Sequence, residues 1–386
     1  MTVSHWRRTQ ALGTIESDVV VIGGGVAGLS ATLALQRRGV KVCLIERGEL
    51  ASGASGRNAG FLMRGAADNY AAGMRLLGRE TVRILWRWTE ENLADLRREG
   101  ITDLPGYRAM PSCLLAMDEE EREELTTSVE LLKRDGFDVE WIDSGDDAVW
   151  TRAEPRPLGG LINPNDGTCH PVQLIHMLAG TITEPIHHGQ EVAWIEGSRH
   201  GVEVRTSDAT FLAERVLVCT NAFAPLLIPS LHALVTPRRG QMLALRPHDP
   251  IRLDRAYYVR HGSEYFRQTP DGTIVVGGCR RNHVDEEIGY EDRVTEAVQL
   301  DIERFARGIL GVDFHVVARW AGTMGFSPDG MPLIGPVDGP WRKGTVWFCG
   351  GFTGHGMSIG FRSARAAVDA MLDGTPTPFP ITREFA

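Results

Sequence analysis

The amino-acid sequence predicts an α/β protein in which strand–glycine–helix segments near both ends of the chain bracket an inserted, mainly antiparallel sheet. The first segment is the β-branched run at 18–22, which is followed by three glycines and a helical stretch that ends at Gly39. The second is an apolar run at 345–349 with a glycine-rich loop and a helix behind it. Between them, the runs at 240–278 alternate in polarity and turn at Asp271-Gly272, which is typical of β-hairpins.

Length and composition place the chain among ordinary globular proteins. With 386 residues it is longer than one compact core usually is, so we expect more than one domain. Hydrophobic residues make up 42% and charged residues 24%, which excludes a disordered or fibrous protein. The net charge of −9 argues against nucleic acid or an anionic membrane as a partner.

The cysteines and the N-terminal segment predict a cytoplasmic protein. The six cysteines form no CxxC pair, and five lie in or beside apolar, strand-like runs, which predicts buried free thiols in a reducing compartment. Arg7-Arg8 has no apolar stretch behind it, so no signal peptide is expected. The run at 19–36 is uncharged, but three central glycines favour a strand, turn and helix over a transmembrane segment.

Hydrophobic periodicity assigns the remaining elements in chain order. A strand at 40–46 completes a βαβ unit with the first segment. The elements predicted after it are one or two helices at 71–99, a strand at 112–117, a helix at 118–135, a strand at 138–142, a helix at 171–179, strands at 191–195, 201–205 and 216–219, an antiparallel meander at 240–278, a helix at 291–309, and the final strand with a helix to about Met371.

The first glycine motif indicates a dinucleotide site. In the pattern Gly23-x-Gly25-x-x-Gly28, the glycines permit a tight turn, close approach of a pyrophosphate, and contact between helix and strand. The phosphate would lie at the helix N-terminus, where free N–H groups and the helix dipole favour an anion. Glu46 ends the next strand, where a carboxylate accepts the ribose hydroxyls and disfavours a 2′-phosphate.

Two further glycine-rich segments extend this pattern. The loop at 51–60 carries Ser55, Arg57 and Asn58, and it suits a chain wrapped around the middle of a long dinucleotide; an ordinary surface loop is the alternative. The loop at 350–356 offers a second helix N-terminus, which an ordinary NAD domain does not need. A flavin uses one, because its reduced ring carries negative charge that N–H groups stabilise.

These segments resemble the D-amino acid oxidase superfamily of FAD-dependent oxidoreductases. VVVIGGGVAGLSATLAL, GASGRNAG and WAGTMGFSPDGMPLIG with GGFTGHGMSIG are most similar to the branch of sarcosine, glycine and γ-glutamylputrescine oxidases. The resemblance implies a Rossmann-like FAD/NAD(P)-binding domain in discontinuous segments, 14–80, 147–236 and 318–386. It also implies an α+β, mainly antiparallel substrate-binding domain at 81–146 and 237–317.

The resemblance also implies which residues bind FAD. The ADP half is expected to contact Gly23, Gly25, Val26, Ala27, Gly28, Glu46 and Arg47. The pyrophosphate and ribityl chain are expected to contact Ser55, Arg57, Asn58, Ala59 and Gly60, and the adenine to contact Val192. The flavin ring is expected to contact Gly351, Gly354, His355, Gly356 and Met357.

The candidate catalytic residues also follow from the resemblance. Arg64 lies where sarcosine oxidases place a substrate-binding arginine and is the candidate anion contact, with a surface charge as the alternative. Tyr258 belongs to a pair of strands whose alternation makes half of the aromatic residues core and directs one or two toward substrate. Arg319 and Trp320 are expected near the ring, with packing as the alternative, and His355 is expected beside it.

Three departures from the family pattern qualify these expectations. Ala321 stands where sarcosine oxidases tether the flavin through cysteine, which predicts non-covalent FAD. Met324 stands where amino-acid-oxidising relatives carry a carboxylate-binding arginine, which argues against a simple α-amino acid as substrate. No lysine occurs between 134 and 342 to supply the group that sarcosine oxidases use with dioxygen. No HxH or HExxH pattern occurs either, so no metal is expected.

The sequence therefore predicts an FAD-dependent enzyme that oxidises the C–N bond of an amine or N-substituted amino acid. Hydride would pass to flavin N5, the imine would hydrolyse, and dioxygen would reoxidise the flavin to give hydrogen peroxide. One alternative is a dehydrogenase of the same fold with a quinone or carrier as acceptor. Another is a non-catalytic nucleotide-binding or prenyl-carrier protein.

Overall fold

The computed structural model describes residues 13–66, 68–199 and 201–385. The N-terminal segment with Arg7 and Arg8 lies outside the described residues. The chain folds into two compact units. We call them unit 1, which comprises the chain up to Gly56, residues Leu174–Arg238 and residues from Met324 on, and unit 2, which comprises Arg57–Gln173 and Arg239–Thr323.

The described residues form strands and helices in the following chain order. The strands are β1 (Gly13–Ile22), β2 (Val42–Ile45), β3 (Phe61–Leu62), β4 (Arg108–Ala109), β5 (Ser112–Ala116), β6 (Glu140–Ile142), β7 (Gly159–Asn163), β8 (Gly167–Thr168), β9 (Ile186–His187), β10 (Trp194–Ser198), β11 (Gly201–Arg205), β12 (Ala209–Val218), β13 (Thr236–Pro247), β14 (Ala256–Val259), β15 (Glu264–Gln268), β16 (Ile274–Gly278), β17 (Phe314–Phe326), β18 (Leu333–Pro336) and β19 (Val346–Gly350). The helices are α1 (Val26–Arg37), α2 (Tyr70–Leu77), α3 (Arg79–Arg98), α4 (Glu119–Arg134), α5 (Ala148–Arg152), α6 (Pro171–Gly180), α7 (Ala224–Leu227), α8 (Glu296–Leu310) and α9 (Gly356–Asp373).

Unit 1 is built on a sheet with a parallel centre. Its strand order is β10-β11-β12-β1-β2-β9, with β19 beside β12 and β18 beside β19. β1 runs parallel to both β2 and β12, and β12 runs parallel to β19. All four residues of β2 are buried, as are the last four of β1, which explains why these strands read as unbroken apolar runs. The predicted Rossmann-like part of the fold is confirmed.

Unit 2 contains a second sheet in the order β17-β13-β16-β15-β14-β5-β7-β6. The pairs β13–β16, β15–β16 and β14–β15 are antiparallel, as predicted for the inserted sheet. β14 pairs with β5 in parallel, so the meander continues into an earlier part of the chain. A small sheet in the order β3-β8-β4 also belongs to this unit. The predicted fold class, α/β with a mainly antiparallel second part, is thus confirmed.

The structure decides one open prediction and corrects two element bounds. The stretch predicted as one or two helices at 71–99 forms two, because Gly78 adopts a φ of +80° between them. The helix predicted from 291 begins at Glu296, after the extended residue Thr295. The strand predicted at 191–195 is instead β10, so Val192 precedes it.

Three other predictions bear on the whole chain. No helix among the described residues is long and apolar enough to cross a membrane. All six cysteines are free and buried, as expected. The predicted boundaries of the FAD-binding and substrate-binding domains stay a prediction; units 1 and 2 differ from them mainly at 57–80 and 147–173, which belong to unit 2.

Candidate functional site

The glycine motif in unit 1 forms a tight turn between β1 and α1. Gly23 has a φ of +107°, and its N–H donates to the carbonyl of Ile45 at 2.8 Å. A Cβ atom on Gly28 would lie 1.8 Å from the Gly23 carbonyl oxygen, and one on Gly25 would lie 2.9 Å from Ser55 Oγ. Only glycine therefore allows α1 to pack this closely against the strand end.

The N-terminus of α1 is prepared for an anion. Its N-cap is Gly25, which offers no capping side chain, and its first turn contains no acidic residue. Val26, Ala27 and Gly28 form that turn, and the Val26 N–H donates to Ser55 Oγ at 3.0 Å. Ser55 thus orders the loop at 51–60 against the helix, and the helix dipole favours negative charge there.

Glu46 lies directly after β2 and closes the other side of this turn. One carboxylate oxygen accepts from the Gly24 N–H at 2.7 Å, and the other accepts from the Gly48 N–H at 2.8 Å. A carboxylate has about four acceptor positions, so both oxygens keep capacity for a ligand's hydroxyls. The backbone of Glu46 also accepts from Gln190 N at 3.0 Å, which brings the segment before Val192 beside it.

Arg47 has a partner that its sequence position did not reveal. Its guanidinium carbon lies 4.0 Å from the centroid of the Phe223 ring, a cation–π contact within unit 1. Phe223 comes directly before α7. The contact fixes Arg47 beside the end of β2.

The second glycine loop, at 350–356, joins β19 to α9. Gly351 and Gly354 have φ values of +67° and +84°, and the Gly351 N–H donates to Asn221 Oδ1 at 2.9 Å. Imidazole Nδ1 of His355 lies 3.0 Å from the Thr353 carbonyl oxygen. His355 is the N-cap of α9 without a capping side-chain bond.

Helix α9 therefore repeats the arrangement seen at α1. Gly356 and Met357 open it, and its first turn also contains no acidic residue. A Cβ on Gly354 would lie 3.8 Å from Met324 Sδ, so Met324 neighbours this loop. Unit 1 thus holds two glycine-lined helix N-termini on one sheet.

The rest of the predicted flavin loop lies in unit 2. Arg57 donates to Asp292 at 2.6 Å and to the Ala321 carbonyl at 3.0 Å. Asn58 Oδ1 accepts from the Gly60 N–H at 2.7 Å, which closes a compact turn.

The carbonyls of this segment are also held by side chains. Trp320 Nε1 donates to the Arg57 carbonyl at 2.8 Å, and the buried guanidinium of Arg267 donates to the Ala59 carbonyl. Sequence reasoning missed Arg267, although the two-residue spacing from Tyr265 in EYFRQ places it on the same sheet face.

The four aromatic residues of β14 and β15 lie on the two opposite faces of the sheet, two on each, as the alternation predicts. Tyr257 and Phe266 are fully buried and stack at 4.8 Å in the core of unit 2. Tyr258 and Tyr265 occupy the opposite face, where the Tyr258 ring lies 5.2 Å from Phe61. Burial raises the pKa of Tyr258 and brings that of Tyr265 to about 12, so both hydroxyls stay neutral near pH 7.

We call this second surface the Tyr258 face. Trp320 belongs to it, because it packs with Tyr258 against Ala59, Phe61 and Met63. The predicted candidates Tyr258 and Trp320 are therefore brought together with the flavin loop segment within unit 2.

The surroundings of Arg64 bear on both of its predicted roles. Its side chain is only 2% exposed, so it is not a surface charge. Its guanidinium donates to Glu90 at 2.7 Å, to Asn163 at 2.8 Å and to the Asp138 carbonyl. These contacts engage the fork of the guanidinium within the protein, which argues against the predicted contact with a substrate anion.

Arg319 also points away from the predicted site. It alternates with Trp320 along β17, so the two side chains occupy opposite faces. Arg319 donates to Gln299 Oε1 at 2.9 Å and forms an ion pair with Glu303, both on α8. These contacts agree with the packing alternative for Arg319, while the expected position of Trp320 beside the ring stays a prediction.

No group of three or more His, Cys, Asp or Glu side chains within the described ranges is arranged to hold a metal ion. The polar groups offered to a ligand in unit 1 are N–H donors at two helix N-termini and one carboxylate. This set fits a dinucleotide, with its pyrophosphate at α1 and ribose hydroxyls at Glu46. The fold and this site define a flavin-dinucleotide class of protein, since α9 supplies a second anion-favouring terminus.

Comparison with known proteins agrees with this class. Residues 18–370 match the family described as FAD dependent oxidoreductase, DAO. The chain belongs to this family, and FAD is its cofactor. The family predicted from the glycine motifs is thereby confirmed.

Individual relatives cover nearly the whole chain. Gamma-glutamylputrescine oxidoreductase of Escherichia coli K12 is 26% identical over 93% of this chain and 84% of its own length. Among solved structures, glycine oxidase of Geobacillus kaustophilus has a TM-score of 0.77 at 22% identity and covers 96% of this chain and 100% of its own. L-proline dehydrogenase of P. horikoshii has a TM-score of 0.75 at 19% identity, covering 95% and 96%. The same fold thus occurs in proteins named as oxidases and as dehydrogenases.

Proposed function

We propose that this protein oxidises the C–N bond of an amine or an N-substituted amino acid. The observation that carries the proposal is the pair of glycine-lined helix N-termini, at α1 and α9, on one sheet. Bound FAD supplies the hydride acceptor for this chemistry. The protein's own residues bind and orient the cofactor and the amine, and no dedicated acid–base residue is needed if the amine enters in its neutral form.

The proposed cofactor contacts follow the two units. In unit 1, the first turn of α1 would hold the pyrophosphate, Glu46 the ribose, and the backbone near Val192 the adenine. The loop at 350–356 would border the ring and place N–H groups toward its negative charge. In unit 2, residues 57–60 would line the pyrophosphate and ribityl chain. Position 321 is alanine, which supports non-covalent attachment.

The substrate class is proposed from the Tyr258 face and from Met324. Tyr258 and Trp320 offer apolar surface with polar edges, which suits an amine with a substituent on nitrogen. Met324, beside Gly354, gives no positive charge for a carboxylate. Glycine and simple D-amino acids are therefore expected to be poor substrates.

The electron acceptor is proposed to be dioxygen, with hydrogen peroxide as product. A dehydrogenase that passes electrons to a quinone or carrier is the second candidate, which the absence of lysine between 134 and 342 favours. A non-catalytic nucleotide-binding or prenyl-carrier role is the third, and it predicts a protein that no amine reduces.

The test begins with purified holoenzyme under nitrogen. Acid precipitation should release the yellow colour into the supernatant as FAD, and colour retained in the pellet would contradict non-covalent binding.

Secondary amines should bleach the flavin absorbance faster than glycine or D-alanine, and the reverse order would contradict the substrate class. Reoxidation of the reduced enzyme by oxygen within seconds supports an oxidase. Rapid reoxidation by a quinone alone supports the dehydrogenase.

Two neighbouring tyrosines give a matched pair for this assay. Tyr258→Phe should change the rate of bleaching or the KM, because its ring lies on the proposed substrate face. Tyr257→Phe alters the opposite face, where the hydroxyl contacts Asp147, and should lower stability with little change in bleaching. Equal effects on bleaching would contradict the proposed substrate face.

A further inference from the structure

Arg267 is a buried arginine on the Tyr258 face of unit 2. It lies on β15 two residues after Tyr265, and it is only 3% exposed. Its Nε donates to the carbonyl of Ala59, and its Nη2 donates to the carbonyl of Cys169 at 2.8 Å. One guanidinium therefore joins two backbone segments that are distant in the sequence.

Those two carbonyls mark the point where the chain leaves the β3–β8 ladder. Phe61 pairs with Thr168, and one step further the Cys169 N–H donates to the Gly60 carbonyl at 2.8 Å. Gly60 then turns the chain with a φ of +74°. A Cβ on Gly60 would lie 2.0 Å from the Cys169 carbonyl and 2.7 Å from Arg267 Nη2, so the junction is tightly packed. Arg267 thus fixes the end of segment 57–60.

The charge of Arg267 distinguishes it from the other buried arginines of unit 2. Arg64 pairs with Glu90 at 2.7 Å, and Arg239 pairs with Glu287 at 2.7 Å. Within the part of the chain that the structure describes, Arg267 has no acidic partner, and its bonds go to neutral carbonyls. Burial lowers its pKa to about 10, so it remains a cation near pH 7. A buried charge without a counter-ion is unfavourable unless a ligand supplies one.

We propose that Arg267 is a positioning residue for FAD, which holds segment 57–60 in place and keeps an unneutralised positive charge beside that segment. This inference rests on the proposed role of residues 57–60 in FAD binding. A fixed cation at low dielectric stabilises an anion strongly, because neither water nor a carboxylate competes for it. The charge would therefore raise the reduction potential of the bound flavin.

The experiment compares Arg267→Met, Arg267→Lys and Arg239→Met in the full chain. FAD affinity is measured by fluorescence titration of the apoproteins, and the flavin potential by anaerobic equilibration with a redox dye. Arg267→Met should raise the Kd for FAD by about 10- to 100-fold, because segment 57–60 is no longer held in its binding position, and it should lower the potential, because the positive charge is lost. Arg267→Lys should retain most of the potential while losing affinity, because it keeps the charge but not the fork.

Arg239→Met is the matched control for a buried arginine whose charge is already neutralised. It should lower the melting temperature with little change in Kd or potential. If Arg267→Met lowers only the melting temperature, or lowers affinity at an unchanged potential, the proposal is overturned. A wild-type protein that binds no FAD would contradict the cofactor assignment itself, and that outcome is distinguishable because it precedes any variant.

Discussion

Units 1 and 2 bury polar groups of different kinds. Among the described residues, the buried polar side chains of unit 1 are serine, threonine and glutamine, and none is charged. Unit 2 buries seven charged side chains, namely Arg64, Asp95, Asp166, Arg239, Glu264, Arg267 and Glu287. Unit 1 therefore offers its polar groups mainly as backbone N–H donors, whereas the buried charges of unit 2, apart from Arg267, contact partner side chains.

This difference determines how easily each unit's polar groups can be predicted from the sequence, and which property a substitution in each unit changes. A site made of backbone donors depends on glycines and a tight turn, which leave a short sequence motif. A buried ion pair depends on residues that are distant in the chain, as Arg239 and Glu287 are. Unit 1 should therefore respond to substitutions in its glycine turns through ligand affinity, and unit 2 should respond to substitutions in its buried ion pairs through stability and its dependence on pH.

The largest expected effect tests the site of unit 1. Glu46→Ala removes the carboxylate that would accept both ribose hydroxyls, together worth roughly 2–4 kcal/mol. We expect the Kd for FAD to rise about 30- to 1,000-fold, measured by titration of apoprotein.

Glu214→Ala is the control for this substitution, because Glu214 is an exposed glutamate of β12 in the same unit. Its affinity should equal that of the wild type. An unchanged Kd for Glu46→Ala would mean that the ribose lies elsewhere.

The second prediction concerns the buried charges of unit 2. Asp166 accepts from the hydroxyl of Ser112 and from the Arg64 N–H, and burial raises its pKa to about 6. Between the ordinary value of 3.8 and about 6, the unfolded chain is ionised while the folded protein keeps the proton. Stability should therefore fall as pH rises through this window, by roughly 2–3 kcal/mol at this site.

Asp166→Asn should remove that component. Urea unfolding at several pH values from 4 to 7 should show that the free energy of unfolding of the variant increases relative to that of the wild type as the pH rises. Asp143→Asn, at an exposed carboxylate, serves as the control. Parallel curves for wild type and Asp166→Asn would refute the raised pKa.

The smallest effect is expected at Arg319. Its pair with Glu303 is partly exposed, and such pairs contribute about 0.2–1 kcal/mol. Arg319→Ala should leave the flavin spectrum and the rate of anaerobic bleaching nearly unchanged. Trp320→Ala, one residue further on the opposite face, should alter both. A large loss of bleaching in Arg319→Ala alone would restore Arg319 as a site residue.

The sequence was most informative where backbone groups, rather than side chains, form the candidate site. Gly23, Gly25 and Gly28 could be interpreted directly, because each glycine meets a local steric requirement. The alternation at 257–258 and 265–266 predicted that half of these aromatic residues are core, and the core pair is Tyr257 and Phe266. Both are short-range effects that a single segment determines.

The roles of Arg64 and Arg319 could not be obtained in this way. Their partners, Glu90 and Glu303, lie on helices whose packing the sequence does not specify. The same holds for Arg267, whose two acceptors are carbonyls and so leave no mark in the sequence. Alternation alone places Arg319 and Trp320 on opposite faces, but it does not tell which face a ligand would use.

Asn221 places a constraint on how this protein can change. Its backbone has a φ of +46°, and its amide oxygen accepts from Gly351 N and lies 2.7 Å from where a Cβ on Gly325 would be. Three segments that are separate in the chain thus share one small side chain. A side chain at 325 would displace the Asn221 amide and with it the acceptor of the Gly351 N–H, so positions 325 and 221 should vary together across descendants of this sequence. Directed evolution of the loop at 350–356 would progress faster from libraries that randomise these two positions at once.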